Sequence, residues 1–185
     1  MNFGTYYITE AAKDMKGLAL FVHEGPKESL YALYDPVTVK EALMEDKPIR
    51  RKDVMGGITI KDDIAEDAVE IDFVTAQKGF GPILYMLAMN FNKGGIRSNK
   101  KGVSDQAKSV LENFFRGKGK DKVDKIKLKN KTKWKEDYLN YKYTLKNKLS
   151  TSQPISLNKK VTESDPENEK KLLKALRRVT RGLIN

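Results

Sequence analysis

The sequence predicts an α/β fold in which a mostly antiparallel mixed sheet is flanked by helices, with a C-terminal arm and an amphipathic helix added. Residues 68–76 alternate apolar and acidic side chains, which is typical of a half-buried strand. A Gly-x-Gly turn, a proline and apolar residues at helical spacing follow in residues 79–89. Two apolar segments, residues 17–23 and 29–34, flank a Gly-Pro turn and predict a hairpin.

The same periodicities predict the remaining elements. They indicate a weak helix over 37–44, a strand over 54–60, a very short strand at Ile96, a helix that begins after Ser104, and strands over 123–129 and 138–145. In the strand at 68–76, alternation predicts that Val69, Ile71 and Phe73 share one face. In the strand at 123–129, it predicts Ile126 and Leu128 inward and the lysines outward.

Composition narrows the classes of protein. The 185-residue chain has no cysteine and a single histidine, which excludes disulfides and thiolate chemistry and disfavours a His-based metal site. It has no apolar run long enough to span a membrane, and its first residues lack the pattern of a signal peptide. The net charge is −2 for residues 1–100 and +13 for residues 101–185, so the second half predicts either an acidic partner or a solvated basic surface.

The Gly-x-Gly turn is the first candidate site. A strand that runs through glycines into the N-terminus of a helix presents unpaired N–H groups and the positive end of the helix dipole, which suit a phosphate. The simpler alternative is a tight connection with no ligand. The turn is not the dinucleotide-binding fingerprint, because Leu84 stands where that motif needs a third glycine.

The turn also belongs to a longer motif. Residues 76–81 read Ala-Gln-Lys-Gly-Phe-Gly, residues 95–98 read Gly-Ile-Arg-Ser, and residues 103–107 read Val-Ser-Asp-Gln-Ala. This succession resembles the central motif of the GNAT superfamily of acyl-CoA-dependent N-acyltransferases, in particular the GNAT-like proteins encoded by bacteriophages. The resemblance covers about residues 15–145 and is strongest over 69–115.

The resemblance implies a cofactor and a set of site residues. The cofactor is acetyl-CoA or another acyl-CoA, and an acetyl group passes to an amine that the sequence does not identify. The implied cofactor-binding residues are Val74, Thr75, Gln77, Lys78, Gly79, Phe80 and Gly81. Glu70 and Asp72 share one strand face, so either is a candidate base for the amine, unless both are only solvent-facing acids. The expected location is the host cytoplasm or the virion.

A second interpretation stays open: a catalytically silent GNAT-fold protein that is a virion component or binds nucleic acid or protein. Ala76 stands where the family has Arg or Gln. The helix after the short strand carries Phe114 and Phe115, where many members have a tyrosine that protonates the leaving thiolate. Four tyrosines elsewhere are candidate substitutes: Tyr85, Tyr138, Tyr141 and Tyr143.

Lysines and aromatic residues interleave near the end of the predicted domain, residues 1–148. The candidate contacts to nucleic acid or an acidic partner are Lys125, Lys127, Lys129, Lys131 and Lys133. Residues 149–163 predict a linker, and residues 164–185 a basic amphipathic helix. Its narrow apolar stripe predicts docking on a partner protein or a second copy through Leu172, Leu176, Val179 and Leu183, with folding back onto its own domain as the alternative.

Overall fold

A computed structural model describes residues 17–117, 123–130, 132–147 and 166–183 of the protein. The predicted linker at 149–163 and the candidate residue Lys131 lie outside these ranges. So do residues 1–16, which the sequence assigns to the main domain.

One seven-stranded mixed sheet runs through the molecule in the order β1-β2-β3-β4-β5-β7-β6. Every pair of neighbours is antiparallel except β4 and β5, which run parallel. The predicted α/β class, with a mixed and mostly antiparallel sheet, is therefore confirmed. The strands are β1 (Ala19–Glu24), β2 (Ser29–Tyr34), β3 (Val54–Asp63), β4 (Ala68–Ala76), β5 (Ile96–Arg97), β6 (Val123–Lys127) and β7 (Tyr141–Leu145).

Four α-helices flank the sheet among the described residues: α1 (Pro36–Met44), α2 (Gly81–Phe91), α3 (Asp105–Phe115) and α4 (Pro166–Thr180). Local capping explains where two of them begin. Asp35 Oδ1 accepts hydrogen bonds from the N–H groups of Val37 and Thr38, and Ser104 Oγ accepts one from Ala107. Short 3₁₀ helices occupy Arg51–Asp53, Ile64–Glu66 and Asp137–Asn140, so the strand predicted over 138–145 begins only at Tyr141.

Helices cover both faces of the sheet, as the burial of β2 shows. Its residues alternate between two buried clusters: Tyr31 and Leu33 belong to the first, while Leu30, Ala32 and Tyr34 belong to the second. The first cluster contains the apolar side chains of α2 and α3, and the second contains those of α1 and α4. A strand buried on both faces reads as a continuous apolar run, which is how β2 appears in the sequence.

A β-bulge in β4 corrects the predicted facing of Phe73. Thr59 of β3 pairs with Phe73 and Ile60 pairs with Ile71, so Asp72 is an extra residue in β4. The extra residue reverses the alternation that follows. Phe73 is 43% exposed and lies under the Arg181 guanidinium, 5.5 Å from its carbon to the ring centroid, whereas Val69 and Ile71 remain in the first cluster.

The inward facing predicted for Ile126 in the edge strand β6 is also wrong. Val123 is buried in the first cluster, and Lys125 shares its side of the strand, with Nζ 3.9 Å from the centroid of the Phe115 ring. Ile126 points to the opposite face and is 46% exposed, while Leu128, just beyond the strand, is buried as predicted. The aliphatic stem of a lysine can cover an aromatic ring while its ammonium group stays near water, so a lysine can occupy the inward side of an edge strand.

The helix α4 packs on its own chain, which corrects the prediction that its apolar stripe binds a partner. Leu172, Leu176 and Val179 are completely buried in the second cluster, and Thr75 Oγ1 donates a hydrogen bond to the Thr180 carbonyl at 2.8 Å. Leu183, the fourth predicted contact, is 64% exposed. A short helix gains most of its stability by burying its apolar face, and the uncovered face of β2 and β3 offers that surface.

We expect Leu176→Ala to lower the free energy of unfolding by about 2–5 kcal/mol, because it leaves a cavity between α4 and the sheet. Leu183→Ala removes a comparable exposed side chain and should change it by less than about 0.5 kcal/mol. Urea unfolding monitored by circular dichroism measures both. If Leu176→Ala leaves stability unchanged and instead abolishes an oligomer seen by sedimentation, the helix belongs on another chain.

A buried carboxylate joins the loop after β3 to the loop after β6. Glu66 accepts hydrogen bonds from the N–H of Lys129 (2.8 Å), the N–H of Asn130 (2.8 Å) and Asn130 Nδ2 (2.6 Å). Burial alone would raise the pKa of Glu66, but these hydrogen bonds outweigh it and lower the pKa below its usual value.

The lowered pKa of Glu66 predicts how the free energy of unfolding changes with pH. The ionised Glu66 stabilises the folded state above its pKa in the unfolded chain, and this contribution is lost as the pH falls through the lower folded pKa. Glu66→Gln should therefore destabilise the protein by about 1–3 kcal/mol at neutral pH, with a difference that shrinks in acid. A difference between the two proteins that stays constant with pH would contradict this assignment.

Candidate functional site between β4 and β5

The parallel strands β4 and β5 separate soon after they meet. β5 has two residues, which pair with Val69 and Glu70, whereas β4 continues to Ala76. Beyond Glu70 the edge of β4 therefore has no neighbouring strand on that side. Where a strand inside a sheet loses its neighbour, its backbone N–H and C=O groups need other hydrogen-bond partners. Such a separation of strands is therefore a suitable place for a ligand.

A cavity of about 170 Å³ opens at this separation. The end of β4, the loop after β5, and the helices α2 and α3 contribute its walls. The polar residues that line it are Asp72, Tyr85, Ser98, Asn99 and Ser104, and the apolar ones include Ile71, Val74, Ala107 and Leu111. This volume is below the roughly 300–1,000 Å³ of typical ligand pockets, so the cavity has room for only a small chemical group.

Strand geometry distinguishes Val74 from Thr75, two of the residues that the resemblance implies at the cofactor site. Gln77 N–H donates to the Met55 carbonyl (2.7 Å) and Phe73 N–H donates to Thr59 Oγ1 (3.2 Å), both toward β3. Because N–H groups alternate between the two edges of a strand, that of Thr75 also points to β3 and that of Val74 points to the cavity side. The structure therefore supports Val74 as a donor and removes Thr75, whose side chain binds Thr180 on the other face.

The glycine turn lies beside the same helix α3 that lines the cavity. Gly79 has φ of +94°, a conformation that side chains disfavour, so a glycine is required there by the backbone. Gly81 has no such requirement: a Cβ added to it would meet only Val110 Cγ2, at 3.9 Å. The glycine at 81 thus leaves open space at the N-terminus of α2, where a ligand could approach the backbone closely.

The turn presents backbone donors to this space. Among the described residues, the N–H groups of Gly79, Gly81 and Ile83 have no acceptor, while that of Phe80 is bound to Gln77 O and that of Leu84 to Phe80 O. No side chain caps α2, so the positive end of its dipole is open. These groups suit an anion.

The other predicted residues of the turn are structural or peripheral. Gln77 Nε2 donates to the carbonyls of Lys52 (3.2 Å) and Val54 (3.0 Å), which fixes the turn to β3. Phe80 packs against the first core cluster, and Lys78 is exposed. Of these three side chains, Lys78 is therefore the one available to an anion.

The two candidate bases differ in position, and both are paired with cations. Glu70 Oε2 lies 4.0 Å from Arg97 NH2 and does not line the cavity. Asp72 lines the cavity, but its Oδ2 lies 2.8 Å from Lys61 Nζ. Asp72 is therefore the better candidate, and an incoming amine would have to compete with Lys61 for it.

Of the four tyrosines that the sequence offers as substitutes, Tyr85 is the one that lines the cavity. Its side chain lines the cavity and is 1% exposed, yet its hydroxyl has no hydrogen-bond partner among the described residues. Burial raises its pKa well above the usual range, so the hydroxyl stays neutral and can donate. The available signal was a lone hydroxyl inside a helix that is apolar on nearly all sides.

The described candidate basic residues have different local contacts. Lys125 donates to the Phe115 carbonyl (3.1 Å), and Lys127 shares its side of the edge strand β6. Lys129 is exposed in the loop that contacts Glu66. Lys133 Nζ donates to the Lys101 carbonyl (2.9 Å) and lies 4.9 Å from the centroid of the Trp134 ring. Binding of nucleic acid by this segment stays a prediction.

Comparison of the chain with models of protein families, with curated proteins and with solved structures found no match. In the part of the chain that the structure describes, no three potential metal ligands among His, Cys, Asp and Glu come together. Within the same ranges, no helix combines the length and apolar character that crossing a membrane requires.

The unpaired hydroxyl of Tyr85 predicts an unusual mutation. A buried polar group without a partner costs about 1–3 kcal/mol, so Tyr85→Phe should leave the free energy of unfolding unchanged or raise it. Tyr143→Phe is the matched control, because that buried hydroxyl donates to the Tyr138 carbonyl at 2.6 Å and its removal should cost about 1 kcal/mol. Equal losses in chemical denaturation would mean that Tyr85 is also satisfied.

Proposed function

We propose that the protein is a GNAT-fold N-acyltransferase of the bacteriophage-encoded type, which transfers an acetyl group from acetyl-CoA to an amine. The observation that carries the proposal is the cavity at the separation of β4 and β5, with the glycine turn beside it. The resemblance implies a central strand that parts from its neighbour, in this chain near Val74. The pairing of β4 and β5, which ends at Glu70, supports that expectation.

The residues at the turn fit the cofactor. The open N–H groups of Gly79, Gly81 and Ile83, together with the dipole of α2, would hold the pyrophosphate, and Lys78 would add a positive charge. A side chain larger than a methyl group at residue 81 would intrude on this space. When bound, acetyl-CoA supplies an acyl group that its thioester activates toward an amine.

The chain contributes three groups at the cavity. The Val74 N–H would donate to the carbonyl oxygen of the acyl group, where negative charge develops. The Asp72 carboxylate would accept the proton that the attacking amine loses, with Lys61 giving way to the amine. The Tyr85 hydroxyl would donate a hydrogen bond to the sulfur as it departs as a thiolate, and it would keep its own proton because burial raises its pKa. The proton that Asp72 accepts from the amine would balance the charge of the thiolate.

One observation favours a second candidate, a catalytically silent protein that keeps the fold as a scaffold in the virion or as a binding component. Asp72 is the one carboxylate among the described residues that line the cavity, and it is already paired with Lys61. Stoichiometric recovery of the protein in purified virions, without affinity for CoA, would support this candidate. Recovery only from infected host cytoplasm would count against it.

Calorimetric titration with acetyl-CoA tests the proposal. The wild-type protein should bind, and Gly81→Ala should bind within a few-fold of it, because the added methyl group has room. Gly81→Asp should weaken binding by at least about tenfold, because its carboxylate repels the pyrophosphate. The same carboxylate lies in the first turn of α2, where it favours the helix, so stability should not fall.

Different results of this titration would contradict different parts of the proposal. If the wild-type protein shows no binding at millimolar acetyl-CoA, the acyltransferase proposal is wrong. If it binds and Gly81→Asp binds as tightly as Gly81→Ala, the cofactor lies elsewhere on the protein. Thermal melts of all three proteins exclude misfolding as the cause of a loss.

A further inference from the structure

A second cavity lies on the opposite face of the sheet, between α1 and α4. This groove has a volume of about 350 Å³, within the range of ligand sites, and it is open along its length. Its floor is apolar and consists of Ala42, Leu43, Pro48, Ile49 and Ala175. At the end of α1, next to the groove residue Leu43, Met44 is 76% exposed. Exposed apolar surface of this kind marks interaction sites.

The rim of the groove is strongly basic. Four of its residues are cationic, Lys47, Lys171, Lys174 and Arg178, and one, Asp46, is acidic. Two of the cations already have partners, because Lys171 Nζ lies 2.9 Å from Asp46 and Lys47 Nζ lies 2.6 Å from Glu45. Among the described residues, no carboxylate lies within salt-bridge distance of Lys174 or Arg178.

The arrangement of charge on α4 sets these two residues apart. Arg177 and Arg181 both pair with Glu28, at 3.1 and 2.9 Å, and so fasten the helix to the sheet. Lys174 and Arg178 lie one helical turn apart on the groove side and have no such role. The folded protein thus uses some cations of α4 for docking and presents the others at the groove.

We propose that this groove binds an acidic segment of a partner protein that inserts aliphatic side chains between α1 and α4. The apolar floor would take the aliphatic groups, and Lys174 and Arg178 would pair with the partner's carboxylates at the rim. The apolar stripe of α4 is buried inside the protein, so recognition uses the basic side of the helix together with α1.

Charge argues against the other occupants. Residues 1–16 contain two acids and two lysines, and residues 148–165 contain two acids and three lysines, so neither segment is acidic. A second copy carries the same net charge of +11 and would be repelled at long range. Nucleic acid offers phosphates, but the described residues that line the groove include no aromatic side chain on which bases could stack.

A binding experiment with defined probes tests the proposal. The probe is a labelled amphipathic helical peptide of Glu and Leu, compared with a Glu–Ser peptide and a Gln–Leu peptide of the same pattern. We expect the Glu–Leu peptide to bind the full chain at least about tenfold tighter than either control, since both charge and apolar groups contribute. Fluorescence anisotropy measures the three affinities.

Variants locate the binding site. Lys174→Glu combined with Arg178→Glu should weaken the Glu–Leu peptide by about tenfold or more. The control variant combines Lys40→Glu on α1 with Lys170→Glu on α4. It changes the net charge by the same amount, but both residues lie outside the groove, so it should have little effect on binding. Ala175→Trp fills the groove without a change of charge and should also weaken binding. Thermal melts establish that each variant is folded.

Three outcomes would overturn the proposal. The first is tight binding of the Glu–Leu peptide that neither Lys174→Glu/Arg178→Glu nor Ala175→Trp reduces. The second is a labelled oligothymidylate that binds more tightly than the peptide and is lost in the same variants, which would make the groove a nucleic-acid site. The third is self-association in sedimentation that these variants abolish, which would make a second copy the occupant.

Discussion

The cavity between β4 and β5 exists because β5 is short. Because this strand pairs with only Val69 and Glu70, the second half of β4 has no neighbour on that edge. The helices α2 and α3 close the gap only in part, and a cavity with polar walls remains. The bulge at Asp72 acts in the same stretch: it reverses the facing of β4, so that Val74 turns to the cavity and Phe73 to the other face.

The other face of the sheet is organised by α4. It contacts β2, β3 and β4, and the approach is so close that a Cβ on Gly57 would collide with the side chain of Thr180. This docking has an electrostatic consequence. Arg177 and Arg181 pair with Glu28 and hold the helix in place, whereas Lys171, Lys174 and Arg178 line the groove beside α1. One helix thus completes the second core and forms a wall of the groove.

Most elements of the fold could be predicted because periodicity reports which faces are buried. The errors have local physical causes. Phe73 was assigned to the wrong face because one extra residue in a strand reverses all that follows, and alternation alone cannot reveal it. Ile126 was misassigned because a lysine stem can replace an apolar side chain on an edge strand. The surface on which α4 packs could not be predicted, because an amphipathic helix can pack on any apolar surface, whether it belongs to the same chain or to a partner. At the candidate site, the glycines indicated the turn, but the free hydroxyl of Tyr85 depends on the packing around it.

In the function that we propose, acetyl-CoA binds at the separation of β4 and β5 and at the adjoining turn. Backbone amide resonances of the isotope-labelled protein, followed during a titration with acetyl-CoA, test it most directly. If acetyl-CoA binds there, the amides of Val74, Gly79, Gly81 and Ile83 should shift together, while that of Thr75, which points to β3, should shift much less. Shifts confined to the groove between α1 and α4 or to residues 123–133, or no shifts at all, would contradict it.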